Sequence, residues 1–173
     1  IAAPATLTLS KNSYVYDGKA KKPKVTAKDN EGNIISSKWY TVSYKNNKKV
    51  GKATVTLKFK GNYSGSLEKN FTIKPKGTSI SSVKAKSKGM TVKWKKQSKE
   101  TTGYVIEYST NAKFTKKTTK SVTVAKNKTT VSNIKKLKAN KKYYVRIRTY
   151  KVVNENGKSV KIYSDWSTAK TVK

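Results

Sequence analysis

The chain has 173 residues, no Cys and no His, and 41 basic against 8 acidic side chains, for a formal net charge of +33. Without Cys and His there are no disulfides, no thiolate chemistry, no zinc sites built on those residues and no His-based acid–base catalysis. No apolar run reaches the roughly 18 residues of a membrane-spanning helix, while the 11 Tyr, 3 Trp and many Val, Ile and Thr are strand formers.

The first half runs from Ala5 to Pro75. Thr6-Leu7-Thr8-Leu9 alternates, and Tyr14-Val15-Tyr16 leads into the turn signal Asp17-Gly18. Lys24–Lys28 reads as a short strand, Asp29–Asn33 as a loop tip, and Ile34-Ile35 as a return to the sheet. Tyr40, Val42 and Tyr44 alternate with Thr41 and Ser43. The clearest strand is Ala53–Lys60, with Val55, Leu57 and Phe59 inward and Thr54, Thr56, Lys58 and Lys60 outward. Gly61–Gly65 turns the chain, and Leu67, Phe71 and Ile73 mark a closing strand pair. Six or seven short strands without a helical period predict a small sandwich.

The segments YDGKAKKPKVTAKDNEGNIIS, YTVSYKNNKKVGKATVTLKFKGNYSG and FTI resemble the Ig-like repeat modules of large secreted proteins of Gram-positive gut bacteria, over nearly all of residues 4–74. The shared features are Tyr16 and Gly18, Pro23 at a strand start, the Asn46-Asn47 turn, Val50-Gly51 and the Gly61-Asn62-Tyr63 turn. The resemblance implies a spacer or adhesion unit with no catalytic residue set. Pro75 and Gly77 within Lys74–Thr78 then stop the strand. This places a first sandwich at residues 1–75, a linker at 76–78 and a second sandwich at 79–173, and so short a linker predicts an elongated, semi-rigid pair.

In the second half Val83 lies on the first strand, and Met90, Val92 and Trp94 line the next. Gly103 precedes Tyr104, Ile106 and Tyr108, with Val105 and Glu107 on the opposite face. Val122 and Val124 mark one strand, Val131 and Ile134 another. Leu137–Lys151 reads as a turn feeding a long strand, with Tyr143, Val145, Ile147 and Thr149 on one face and Tyr144, Arg146, Arg148 and Tyr150 on the other. Leu137 ahead of Tyr143 suits a tyrosine corner, in which the phenol bonds upstream backbone. Asn154–Gly157 is a hairpin tip, and Tyr163–Ser167 starts the last strand.

Trp94, the Gly103-Tyr104-x-Ile106-x-Tyr108 run, Leu137 with Tyr143, and Ser164-x-Trp166-Ser167 together resemble a fibronectin type III domain over the whole second half. The two resemblances imply an all-β chain of two consecutive antiparallel β-sandwiches, Ig-like then fibronectin type III-like. Trp94, Tyr104, Tyr108, Leu137 and Tyr143 are expected to be structural. No Arg-Gly-Asp tripeptide occurs, so integrin-type recognition has no support.

No reacting constellation emerges. The acids Asp17, Asp29, Glu31, Glu68, Glu100, Glu107, Glu155 and Asp165 fall mostly at turns or outward positions, whereas glycoside hydrolysis needs two carboxylates about 5 to 9.5 Å apart across a cleft. Asp29–Asn33 lacks the closing Glu of a calcium loop. Abundant Ser and Thr have no His to activate them. Surface modules of the type resembled sometimes carry a Lys–Asn cross-link promoted by a buried carboxylate, but Glu68 and Glu107 are the only acids predicted on strands and Glu107 is predicted outward, so none is expected. The triplets at Asn62, Asn70 and Asn127 matter only in a eukaryotic secretory host. Catalytic, metal and cofactor sites are therefore not expected.

The charge is built almost wholly from Lys, since Arg146 and Arg148 are the only Arg. Bidentate phosphate and base recognition prefers Arg, and the Lys are spread along the sequence, so specific nucleic-acid binding is not expected. Arg146 and Arg148 are expected to form a ladder with Trp166 and an ion pair with Glu107, worth little more than about 1 kcal/mol per contact and serving as support. Trp39 is predicted to face outward without a nameable partner, either stacking on a sugar ring or capping the loop before Tyr40.

Starting at Ile1 rather than Met, the sequence reads as a piece of something longer. The expected function is that of a non-catalytic, extracellular, cell-surface or secreted spacer. It would be a monomer within a multidomain chain, with anionic cell-wall polymers or host or plant glycans as partners and no membrane insertion. The competing expectation is a carbohydrate-binding module, accessory to a secreted polysaccharide-degrading enzyme, that grips polysaccharide through Trp39 or a Tyr-lined sheet face.

Overall fold

The structure, a computed structural model, describes residues 2–173 and is divided into two compact units with the break between Lys74 and Pro75. The fold is all-β, two consecutive sandwiches with one short 3₁₀ turn among the described residues.

The first unit contains β1 (Pro4–Leu9), β2 (Ser13–Val15), β3 (Val25–Asp29), the 3₁₀ turn Ser37–Trp39, β4 (Tyr40–Lys45), β5 (Gly51–Phe59) and β6 (Ser66–Lys74). β1 pairs with β3 in one sheet, and the other runs β2-β6-β5-β4. On β5 the alternation puts Ala53, Val55, Leu57 and Phe59 inside, against Phe71 and Ile73 on one side and Leu7, Ala27, Ile35 and Tyr40 on the other. One pair departs from the antiparallel expectation: β2 lies parallel to β6. The chain changes sheets after Leu9 without pairing β1 to β2, so β2 arrives beside β6 running in the same direction. The closing strand pair expected at Leu67–Ile73 is instead the single strand β6, because Ser66–Lys74 holds no Gly or Pro to break it and β5 offers partners along almost its full length.

Ile34 and Ile35 do not resume a sheet strand. Only an isolated bridge, Lys28 with Ile34, is present, and Ile34 is 72% exposed. The loop before them is closed by its own acid. The buried Asp29 carboxylate accepts from the backbone N–H of Glu31 (3.0 Å) and Asn33 (2.9 Å) and from the Asn33 side chain (3.4 Å). Burial alone would raise its pKa, but the N–H donors outweigh it and hold the carboxyl below its ordinary value.

The second unit contains β7 (Ile80–Lys86), β8 (Gly89–Trp94), β9 (Gly103–Ser109), β10 (Thr119–Val124), β11 (Val131–Lys135), β12 (Tyr143–Glu155), β13 (Lys158–Tyr163) and β14 (Lys170–Val172). One sheet runs β11-β8-β7 and the other β10-β9-β12-β13, with β14 also on β12. Met90, Val92 and Trp94 from the first meet Tyr104, Ile106, Tyr143, Val145 and Ile147 from the second. Trp94 and Tyr104 have ring centroids 5.3 Å apart. Tyr104 is fully buried; its hydroxyl accepts from Gln97 N–H (2.9 Å) and donates to the Asn127 carbonyl (2.6 Å), tying two loops together. Tyr108, 9% exposed, packs against Tyr143 at 6.3 Å, and burial pushes its phenol pKa up.

At the mouth of β12 the Tyr143 hydroxyl accepts from Lys138 N–H at 3.0 Å, and Leu137 packs on the core. The ring is buried while Lys138 is exposed, so water can replace part of the lost bond. Tyr143→Phe is therefore expected to cost only about 1 kcal/mol, read as a small fall in urea midpoint with an unchanged m-value.

The last strand does not start at Tyr163. β13 ends there, and β14 begins only at Lys170. Ser164–Ser167 lies along the middle of β12 and bonds it through alternating backbone and hydroxyl groups. Ser164 N–H donates to Thr149 O (3.0 Å) and Ser167 N–H to Ile147 O (2.8 Å). In return Thr149 N–H donates to Ser164 Oγ (2.9 Å) and Ile147 N–H to Ser167 Oγ (3.0 Å). The serine hydroxyls stand in for carbonyls that a regular strand would present, which satisfies the buried edge of β12.

Candidate functional site

That serine-closed segment positions Trp166. The residue sits between the two bonded serines and its ring lies against the outward face of β12, where Arg146 and Arg148 project two positions apart. The Arg146 guanidinium carbon is 4.3 Å from the Trp166 ring centroid and 4.1 Å from that of Phe114. The Arg148 carbon is 4.2 Å from Trp166 and 3.7 Å from Tyr163. The result is an alternating stack, Phe114–Arg146–Trp166–Arg148–Tyr163. Tyr150 continues it 6.3 Å from Tyr163, with the Lys161 ammonium 4.8 Å from the Tyr150 ring.

The register pairs Arg146 with Glu107 and Arg148 with Val105. Arg146 Nε and Nη2 both donate to Glu107 Oε2, at 2.9 and 2.6 Å. Arg148 has no such carboxylate directly across, and its buried Nε has no hydrogen-bond partner. Burial draws the Arg148 pKa below its ordinary value and Arg146 adds to that, while Tyr163 and Glu107 oppose it. The rings thus stabilise a guanidinium that lacks a close anion. Val105, although on the outward face, is only 7% exposed. Both guanidinium planes are occupied by rings, which leaves them few free faces for a ligand.

Sequence reasoning brought Arg146, Arg148, Trp166 and Glu107 together but missed Phe114 and Tyr163. Tyr163 was legible as the residue before Ser164-x-Trp166, at the end of a hairpin strand whose register places it opposite Tyr150. Phe114 carries no such signal. It lies in the loop between β9 and β10 with a left-handed φ of 49°, a conformation a bulky residue adopts only when held there.

Trp39 is not the lone outward ring that the sequence suggests. It is partly buried at the end of the 3₁₀ turn and packs 6.2 Å from Tyr63. Gly61 has a φ of +68°, and a Cβ there would lie 2.3 Å from the Trp39 ring. The ring caps the Gly61-Asn62 turn, its carbonyl accepts from Lys60 N–H (2.9 Å), and the Lys38 ammonium lies 4.9 Å from its centroid. Little of the ring remains to meet a sugar. Other carboxylates are likewise engaged: Asp17 pairs with Lys21 at 2.6 Å and accepts from Lys19 N–H, and Glu68 accepts from Thr56. Among the described residues no three His, Cys, Asp or Glu side chains gather as a metal site.

The sequence model described as "Fibronectin type III domain" matches residues 73–165, more than half of the chain. The chain belongs to the fibronectin type III family. The match covers the second unit up to Asp165, so it includes Trp94, Tyr104, Tyr143 and both ladder arginines of this fibronectin type III domain. Among solved structures, a segment of two fibronectin type III domains from chicken tenascin is 17% identical, with a TM-score of 0.54 over 98% of each chain. The FN1–FN3 domains of chicken CNTN1 are also 17% identical, with a TM-score of 0.44 over 98% of this chain and 66% of that one. The tenascin likeness supports the fold of consecutive sandwiches and nothing narrower. No curated protein matches the sequence.

Proposed function

We propose that this chain is a non-catalytic spacer segment of a bacterial surface or secreted protein. Its first unit is a bacterial Ig-like module and its second a fibronectin type III module, and it adheres to anionic cell-wall polymers through its lysines. It acts outside the cell, as a monomer within a longer multidomain chain. The observation that carries the adhesion reading is the charge: +33 on 173 residues, with both Arg consumed by aromatic stacking and the remaining basic residues all Lys. Such a surface attracts polyanions without discriminating base sequence. The engaged carboxylates and the absence of His and Cys support a role without chemistry. The fibronectin type III sandwich hosts many functions, so the reading rests on this surface rather than on the fold.

Trp39 decides between this reading and a carbohydrate-binding module. A ring packed on Gly61 and Tyr63 is support, so Trp39→Ala is expected to lower the stability of the first unit by about 2 kcal/mol and leave polymer retention unchanged. The test is retention on an immobilised glycerol-phosphate polymer and on neutral xylan. Retention on the anionic polymer alone, equal for wild type and Trp39→Ala, is expected. Retention on neutral xylan that disappears in Trp39→Ala would replace adhesion with carbohydrate binding.

A further inference from the structure

The lysines that look scattered along the sequence are gathered by the fold at one end of the fibronectin type III unit. The β7–β8 turn carries Lys86 and Lys88, the segment from the end of β11 to the start of β12 carries Lys135, Lys136, Lys138 and Lys141, and Lys173 after β14 lines one of the same clefts. About fifty residues separate the first two stretches in sequence, yet they touch. Leu137 N–H donates to Lys88 O at 2.9 Å, and a Cβ on Gly89 would lie 2.5 Å from Ile134 O. Open clefts of about 320 and 410 Å³ flank the shared Lys86–Gly89 turn. All seven lysines are exposed, and among the described residues no acidic side chain lines either cleft. The sequence holds no Asp or Glu from 69 to 99 or from 108 to 154, so neither stretch can supply one.

We infer that this end is a binding surface for a flexible, base-free polyphosphate or polyphosphodiester chain; the inference rests on the anionic-polymer reading and locates it. Seven ammonium groups around two adjoining clefts repel one another, with no acidic side chain interleaved among them to relieve the repulsion. A single small anion gains little from exposed lysines. A chain of linked phosphates that meets several at once releases a counterion at each, and the gains multiply. Nucleic acid fits less well. The one aromatic residue lining the clefts is Tyr143, 8% exposed, so no ring is presented for base stacking, and no Arg is there for bidentate contacts.

The test uses the full chain and fluorescently labelled inorganic polyphosphate at fixed ionic strength. The clustered variant carries Lys86→Gln, Lys135→Gln, Lys138→Gln and Lys141→Gln, which avoids the left-handed positions Lys88 and Lys136. The control removes the same charge from the β9–β10 side with Lys113→Gln, Lys116→Gln, Lys117→Gln and Lys120→Gln, all exposed. The clustered variant is expected to bind at least about tenfold more weakly and the control no more than about threefold. Acetylation of wild type with and without polyphosphate gives the same answer without mutation, the seven cleft lysines being the ones protected. Equal losses in the two variants, with protection spread evenly, would overturn the site and leave charge-driven adhesion standing. No binding by the wild type would overturn both. An oligonucleotide that binds better than its abasic counterpart would overturn the choice of a base-free chain.

Discussion

Gly103→Ala is expected to cost the fibronectin type III unit about 3 kcal/mol, at the upper end of what overpacking does. The reason is backbone, not side chain. A Cβ at Gly103 would stand 2.1 Å from the Val124 carbonyl oxygen and 3.0 Å from the Tyr150 hydroxyl. The Tyr150 ring is buried and packed against Tyr163, and the carbonyl belongs to the end of β10, whose register places Val124 opposite Tyr104. Relief requires parting β9 from β10 beside Tyr104, the fully buried residue whose hydroxyl ties the loops on either side. Amide hydrogen exchange checks the outcome: protection across β9 and β10 falls by two or more orders of magnitude, while β5 and β6 of the first unit keep theirs. A loss confined to a few tenths of a kcal/mol would mean that the β10 end is loosely held.

Trp166→Ala is expected to be nearly as costly, about 2 to 3 kcal/mol, since it deletes two cation–π contacts and the packing between two guanidinium groups. Arg146 retains Phe114 and the Glu107 carboxylate after the change, but Arg148 retains only Tyr163. The loss should therefore fall mainly on Arg148, and two measurements separate this from a general cavity effect. Combining Trp166→Ala with Arg148→Met should cost less than the sum of the two single changes, by about 1 kcal/mol of coupling, whereas Trp166→Ala with a distant core change such as Val92→Ala should be additive. Additivity of the first pair would show that the ring stabilises by area alone.

The strands that sequence located best are those with strict alternation on both sides of a turn: β5, β8, β9 and β12. In each, apolar residues at every second position mark the face turned to the core, although β9 is buried on its other face as well. Three features were not legible for physical reasons. The parallel pairing of β2 with β6 depends on where the chain changes sheets, which no local pattern encodes. The Ile34-Ile35 pair looks like a strand by propensity, but the Asp29 carboxylate closes the preceding turn and leaves room for a single bridge. The interruption at Ser164–Ser167 appears as a strand start until the hydroxyls are seen to bond β12 in place of carbonyls.

The candidate site shows the same divide. Arg146, Arg148 and Glu107 were readable because cross-strand neighbours follow from strand order. Phe114 was not, because its place against Arg146 depends on a loop conformation with positive φ. Trp39 was misread as unpartnered because its contacts, Gly61 and Tyr63, lie more than twenty residues away across a turn. The lysine gathering around Lys88 and Lys138 was hidden for a similar reason: a chain with Lys throughout gives no contrast until two distant turns are joined by the Leu137 to Lys88 bond.

If the chain adheres to anionic polymer as proposed, charge rather than aromatic stacking provides the attraction. The most direct measurement is the affinity of the wild-type chain for a glycerol-phosphate polymer across a series of salt concentrations. Log affinity is expected to fall linearly with log salt, with a slope that corresponds to at least about four released counterions. An affinity that stays flat from low to high salt would contradict it.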